Sequence, residues 1–255
     1  MRRSGLDEHR GGASPLTLIH SGRMAHPQIT RAEIEGIEFT LYYDYDELRD
    51  RKLYRLTDPG KIRWFRLRME FVFLEPLTRL YSGRTPALRA LNSLKKNEQP
   101  PSSFVIPAFS VLLNGIEALG SFLTASGSSQ VRFYAFVETY MESWDTTVAK
   151  SPYATSNDLK EILWKHFRNG IAHGFCIERG GIDNEADAAQ GGWQVVDGRL
   201  LVGPHAFFEA FRIAVDSFFR DAATVHLTTF LPRFRKVYPP AHDGPQRSRD
   251  AGGER

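Results

Sequence analysis

The stretch that most constrains the fold is "FVIPAFSVLLNGIEALGSFL", beginning at Phe104. Ile106, Phe109, Leu113, Ile116 and Gly120 fall on one helical seam, and Val105, Leu112, Leu119 and Phe122 widen it until most sides are apolar. Leaving such a surface in water would forfeit about 25 cal/mol for each Å². The segment from about Ile106 to Leu123 is therefore expected to be a central helix with others packed around it. Pro107, Asn114 and Glu117 interrupt it, and a charge at mid-bilayer costs about 3 kcal/mol, which disfavours a membrane span. One polar or small stripe runs down the helix through Ser110, Asn114, Glu117 and Ser121. It either faces solvent or another helix, or it carries Asn114 and Glu117 toward a polar cluster elsewhere.

Periodicity supplies the neighbours. From Lys61, Trp64, Leu67, Phe71 and Leu74 recur at about one turn, until Pro76 should end or kink the helix. A helix over residues 130–144 turns Phe133, Val137, Tyr140, Met141 and Trp144 inward. The segment "SPYATSNDLKEILWKHFRNGIAHGF" offers Ser156 or Asn157 as a cap and Gly174 as a stop. After Gly203-Pro204, a helix aligns Phe207, Phe211, Ala214, Phe218 and Ala222. "PALRALNSLKKNEQPPSS" holds a short helix before Pro100-Pro101.

Strand patterns are fewer. "GIEFTLYYDYD" alternates, with Ile37, Phe39, Leu41, Tyr43 and Tyr45 on one face, and is expected to dock on the helical body or against a later hairpin. "FCIER" and "WQVVDGRLLV" read as strands, with Asp197-Gly198 a strong hairpin turn and "GGIDNEADAAQGG" a loop between them. The fold class is mainly α: a four- to five-helix bundle with a small β-hairpin after the cluster helix and an N-terminal strand. Residues 1–28 form a flexible lead in which Met24 is a second candidate initiator, and 29–58 form a strand-containing extension. Residues 61–230 are the bundle, with a hairpin insert at 175–202, and 231–255 are a disordered tail poor in apolar residues.

Charge and cysteine usage narrow the setting. A net charge of +3 permits nucleic-acid contact without demanding it. The single Cys176 rules out an intramolecular disulfide, so with no membrane span a cytoplasmic location is expected. No Walker loop, G-x-G-x-x-G or G-x-S-x-G motif occurs, which leaves P-loop nucleotide hydrolysis and serine esterase chemistry without a starting point.

The cluster is "WKHFRNGIAHGF", residues 164–175. On an undistorted helix, Leu159, Ile162, Leu163, Phe167 and Ile171 form the buried arc, while His166, Asn169 and His173 share one flank. Arg168 lies about 140° around the barrel from His173, so the two cannot meet one small group from a single ideal helix. Either Gly170 and the helix end loosen the geometry, or a second copy faces the first in a symmetric dimer. Plainer readings exist for each residue. His173 complements a helix C-terminus, His166 packs or makes a dimer contact, and Arg168 pairs with Glu117 or Glu161. A zinc site from His166, His173 and Cys176 would need Asp183 from a loop and fits no standard spacing, so no metal or other cofactor is expected. Cys176, read as lying on a buried strand, is expected to be inert.

"RNGIAH", Arg168 to His173, resembles the R-x4-6-H pattern of HEPN (higher eukaryotes and prokaryotes nucleotide-binding) domains, with a polar residue after the arginine. The late helix that ends on the motif, and the further helix closing the bundle, are similar to that family over residues 100–228. The resemblance implies a bacterial homodimer whose paired motifs form a metal-independent endoribonuclease of toxin or defence type. Arg168 and His173 would be catalytic and Asn169 would position substrate, with His166, Asn114 and Glu117 supporting them. RNA carries its own nucleophile, the 2′-hydroxyl, so the products would be a 2′,3′-cyclic phosphate and a 5′-hydroxyl. An antitoxin or regulatory protein is an implied partner, with no membrane association. The alternative is a non-catalytic HEPN-like dimer that binds nucleotide, RNA or a protein partner. The N-terminal strand and the hairpin are additions to a minimal bundle of this kind.

Overall fold

A computed structural model describes residues 31–41, 52–81, 105–124, 126–174, 176–177 and 179–239. Strands β1 (Arg31–Ile34) and β2 (Ile37–Thr40) pair antiparallel, with Ile34 opposite Ile37. Between them Glu35 and Gly36 have φ of 53° and 75°, the left-handed pair that a two-residue hairpin turn requires. The strand read from Ile37 thus finds its partner immediately before it, and not in the later hairpin. Phe39 and Leu41 are buried on the expected face; residues 42–45 lie outside the described set.

Helix α1 (Asp58–Arg68) starts earlier than Lys61 because Thr57 caps it, accepting the Gly60 N–H at 3.2 Å. Thr57 in turn donates its N–H, at 2.9 Å, and its hydroxyl to the Glu35 carboxylate, which ties the hairpin turn to the helix start. Those bonds, the hydroxyl first, hold the Glu35 carboxyl below its ordinary value of 4.5. A depressed carboxylate contributes stability above its unfolded pKa and loses it as pH falls through the folded value. Circular-dichroism melts should therefore show the parent protein losing more melting temperature than Glu35→Gln on acidification below about pH 4.5. Equal losses would mean that the turn and the cap are not coupled.

Beyond α1 the chain passes through a π turn (Met69–Leu74), where the Glu75 N–H bonds the Glu70 carbonyl, and continues as α2 (Glu75–Tyr81). Pro76 does not end the helix. It falls in the first turn of α2, next to the underwound π turn, where a missing N–H is tolerated. The short helix expected before Pro100 lies outside the described residues.

Helix α3 (Val105–Gly120) takes the central place expected of it, packing on α2, α4 (Ser129–Tyr140), α7 (Pro204–Ala222) and the helix that carries the polar cluster. Phe109, Leu112, Leu113 and Ile116 are completely buried. At the crossing with α4, a Cβ on Gly120 would lie 1.8 Å from the Arg132 carbonyl oxygen, so only glycine lets the two backbones come so close. After α4, Met141 and Trp144 are buried as expected, the latter on a 3-10 turn.

The region after the cluster helix is a three-stranded sheet, not a simple hairpin. β3 (Gly180–Ile182) lies parallel to β5 (Arg199–Val202), and β4 (Trp193–Val196) pairs antiparallel with β5 across Asp197-Gly198. Cys176 and Ile177 are not in a strand. The pairing partner comes instead from the first residues of the segment read as a loop, where Ile182 sits opposite Val202. The same segment forms a 3-10 turn (Asn184–Ala188) whose Asp187 carboxylate accepts the Ala206 N–H at 2.8 Å and caps α7 from a distance. On α7, Phe207, Phe211, Ala214, Phe218 and Ala222 are all buried.

The C-terminal expectation is corrected. The chain does not lose structure at residue 231 but forms α8 (Leu227–Val237), with Phe230 and Phe234 fully buried. Two phenylalanines one turn apart suffice because they enter an aromatic cluster. Phe122 lies 4.9 Å from both Phe65 and Phe230, and Phe234 meets Trp64 edge-on at 6.0 Å. The Tyr54 hydroxyl also donates to the Tyr238 carbonyl at 2.7 Å. Residues 240–255 lie outside the described set. Among the described residues no helix is long and apolar enough to cross a membrane.

Candidate functional site

The cluster sits on one continuous helical rod made of α5 (Leu159–Ile162), a π turn (Leu163–Arg168) and α6 (Asn169–Gly174). Its cap is Asp158, not Ser156 or Asn157. The Asp158 carboxylate accepts the Lys160 N–H at 3.0 Å, and Ser156 supports it from behind by accepting the Asp158 N–H at 3.0 Å. Leu159, Ile162, Leu163, Phe167 and Ile171 are buried, so the apolar arc is as expected. Gly174 closes the rod.

The π turn changes what the polar residues can share. Its defining bond runs from the Asn169 N–H to the Trp164 carbonyl, five residues back, so the residues before the turn are rotated relative to those after it. The common flank of His166, Asn169 and His173 assumed an undistorted helix, and the structure does not bring the two histidines together. His166 is half-buried with its ring stacked on Tyr153 at 4.0 Å and 23°. His173 is exposed and hydrogen-bonds no other described residue.

Arg168 is held from three sides. Its Nη2 donates to Glu117 Oε2 at 3.0 Å, its Nη1 donates to Asn169 Oδ1 at 3.1 Å, and its guanidinium lies 4.8 Å over the Trp164 ring. The polar stripe of α3 therefore does reach the cluster through Glu117. Asn114, one turn earlier, is exposed and makes no hydrogen bond to a described residue. Glu161, the other candidate partner, faces Lys165 at 3.4 Å. The Arg168 and Glu117 side chains keep 22% and 18% of their exposure, between a surface pair worth about 0–1 kcal/mol and a buried one whose breaking costs about 3–5 kcal/mol. Breaking this one should cost about 1–3 kcal/mol, with about 0.5–2 kcal/mol more from the Trp164 stack. The buried arc read from the sequence did not include Trp164, and no role was assigned to it. Its spacing of four residues from Arg168 was the signal that could have marked it as a platform.

Gly170 explains the glycine within the motif. The chain folds back after α6 so that the Cys176 N–H bonds the Gly170 carbonyl at 3.3 Å, and a Cβ on Gly170 would lie 2.4 Å from the Cys176 oxygen. Gly170→Ala is expected to cost about 1–3 kcal/mol, read as a drop in denaturation midpoint. An unchanged midpoint would show that the returning segment yields freely. Cys176 itself is an exposed free thiol and not a buried strand residue.

Among the described residues no three His, Cys, Asp or Glu side chains converge on a point that could hold a metal ion. The chemistry on offer is thus a fixed, partly exposed guanidinium with an amide beside it, and a histidine presented at the helix end. No contact links Arg168 to His173 within one chain. Comparison of the chain with protein-family models, with curated proteins and with solved structures finds no match.

Proposed function

We propose that this chain is a homodimeric, HEPN-like endoribonuclease that cleaves RNA without a metal ion. The observation that carries the reading is an anchored Arg168 and an exposed His173, whose side chain bonds no described residue, five residues apart on one continuous helical rod. In this mechanism the 2′-hydroxyl of RNA attacks the neighbouring phosphorus, and the bond to the 5′-oxygen breaks. His173 moves a proton at one of those oxygens, the general acid–base role that an imidazole side chain can fill. Arg168 binds the equatorial phosphate oxygens through its Nη groups, with Asn169 fixing the orientation. Because no contact links the two residues within one chain, a second copy supplies the complementary member of each pair. The products are a 2′,3′-cyclic phosphate and a 5′-hydroxyl.

A second reading is favoured by the Glu117 contact. A phosphate that approaches Nη2 must share it with that carboxylate or displace it, whereas a module that binds its partner without using Nη2 would leave the pair intact; such a module would take nucleotide, RNA, an antitoxin or another regulatory protein. Incubating the full chain with single-stranded RNA and a chelator separates the two. Fragments with cyclic phosphate ends support the enzyme. Binding without turnover supports an RNA-binding module, and neither binding nor cleavage removes both the enzyme and the RNA-binding form of the module.

A further inference from the structure

A cleft of about 340 Å³ opens where the end of α3, the start of α4 and the body of α8 meet. Arg132 from α4 and Arg233 and Lys236 from α8 line it, together with the hydroxyl-bearing Ser126 and Thr228, and no acidic residue among the described ones does. Arg233 is aimed from beneath. Ser121, only 4% exposed, accepts its Nε–H at 2.9 Å while donating its own hydroxyl to the Ala118 carbonyl at 2.6 Å.

These cations are not spent on structure. Arg66, Arg79, Arg168 and Arg212 each meet a carboxylate, whereas among the described residues none pairs with Arg132, Arg233 or Lys236. Burial, and then the neighbouring Arg132, hold the Arg233 guanidinium below its ordinary value, the mark of like charges gathered without an anion. Gathering positive groups costs free energy in the empty cleft, and an anion placed among them reverses the sign. Two guanidinium forks, a mobile ammonium and two hydroxyls match a tetrahedral group carrying several charged oxygens better than a single carboxylate.

We infer that this cleft binds a phosphate group, carried either by a small phosphomonoester or by a nucleic-acid strand. The site does not rest on the ribonuclease reading, since none of Glu117, Arg168, Asn169 and His173 lines the cleft.

Thermal melts of the full chain test it, with inorganic phosphate compared against chloride at equal ionic strength. Saturating phosphate should raise the melting temperature of the parent protein by about 2 °C or more. Phosphate stabilises any folded surface to some degree, so the decisive comparison is with Arg132→Gln and Lys236→Gln, the second an exposed residue whose change leaves folding alone. Loss of at least half the shift in both variants supports the site. An equal shift in all three proteins, or none in the parent, overturns it. Short single-stranded DNA, which lacks the 2′-hydroxyl and so cannot be cleaved by the proposed chemistry, then assigns the source. Tighter binding that needs a 5′-phosphate and is weakened by both variants points to a phosphomonoester. Variant-sensitive binding indifferent to that phosphate points to the strand backbone.

Discussion

A His173→Ala protein is expected to cleave RNA about 10²- to 10⁴-fold more slowly than the parent while its stability stays within about 0.5 kcal/mol. The two halves of this expectation have separate causes. Removing an acid or base costs the proton-transfer contribution, whereas removing an exposed side chain that hydrogen-bonds no described residue costs the fold little. Arg168→Ala should behave differently. It loses cleavage as well, but it also strands Glu117 at 18% exposure and uncovers the Trp164 ring, so stability falls by roughly 1.5–5 kcal/mol. Adding Glu117→Gln to Arg168→Ala should then cost less than the sum of the single changes, because the uncompensated carboxylate is gone. A quenched-fluorescence RNA assay with a chelator present, run beside denaturant melts, reads both quantities. A His173→Ala protein that retains the parent rate would end the enzyme reading. A parent protein that binds RNA without cutting it would move the assignment to the binding module.

The parts of the fold that were legible are those in which one helix's own spacing decides burial. The stripe from Phe207 to Ala222 and the arc from Leu159 to Ile171 could be read directly, since both follow a helical period and face the same core. The π turns could not. Counting at 3.6 residues per turn presumes the ladder that a π turn breaks, and for that reason His166 was grouped with His173 when it packs under Tyr153 instead. Strand β1 was missed because "RAEI" is half charged and its turn, Glu35-Gly36, lacks the Asn or Asp that signals a hairpin. In the candidate site, the residue types and spacing of Arg168, Asn169 and His173 were visible. The choice of Glu117 over Glu161 as partner was not, because it depends on how α3 lies against the rod, a contact spanning 51 residues. The C-terminal helix failed for a related reason: apolar content averaged over a Pro- and Arg-containing segment hides two aromatic anchors whose value is set by what receives them.

That last point carries the largest expected loss of stability. Phe234→Ala should destabilise the protein by about 3–5 kcal/mol, the range for emptying a fully packed phenylalanine site. Phe234 is completely buried and touches four rings: Trp64 edge-on at 6.0 Å, Phe65 edge-on at 6.4 Å, Phe230 stacked at 5.9 Å and Tyr238 at 5.1 Å. Those rings belong to α1, α8 and the segment beyond it, which the Tyr54 hydroxyl fastens to the segment just before α1. The cavity would therefore open where α1 and α8 meet, and neither can close it without giving up the Trp64 contact. Deleting residues 232–255 should be worse, since it removes Phe234 and Tyr238 together and leaves Trp64 and Phe65 uncovered. In urea, the midpoint should shift with little change in slope for Phe234→Ala, while the truncated chain should show a shallow transition or none. If the truncated protein instead unfolds at the parent midpoint with the parent slope, the C-terminal helix is a passenger on the bundle and the aromatic cluster closes without it.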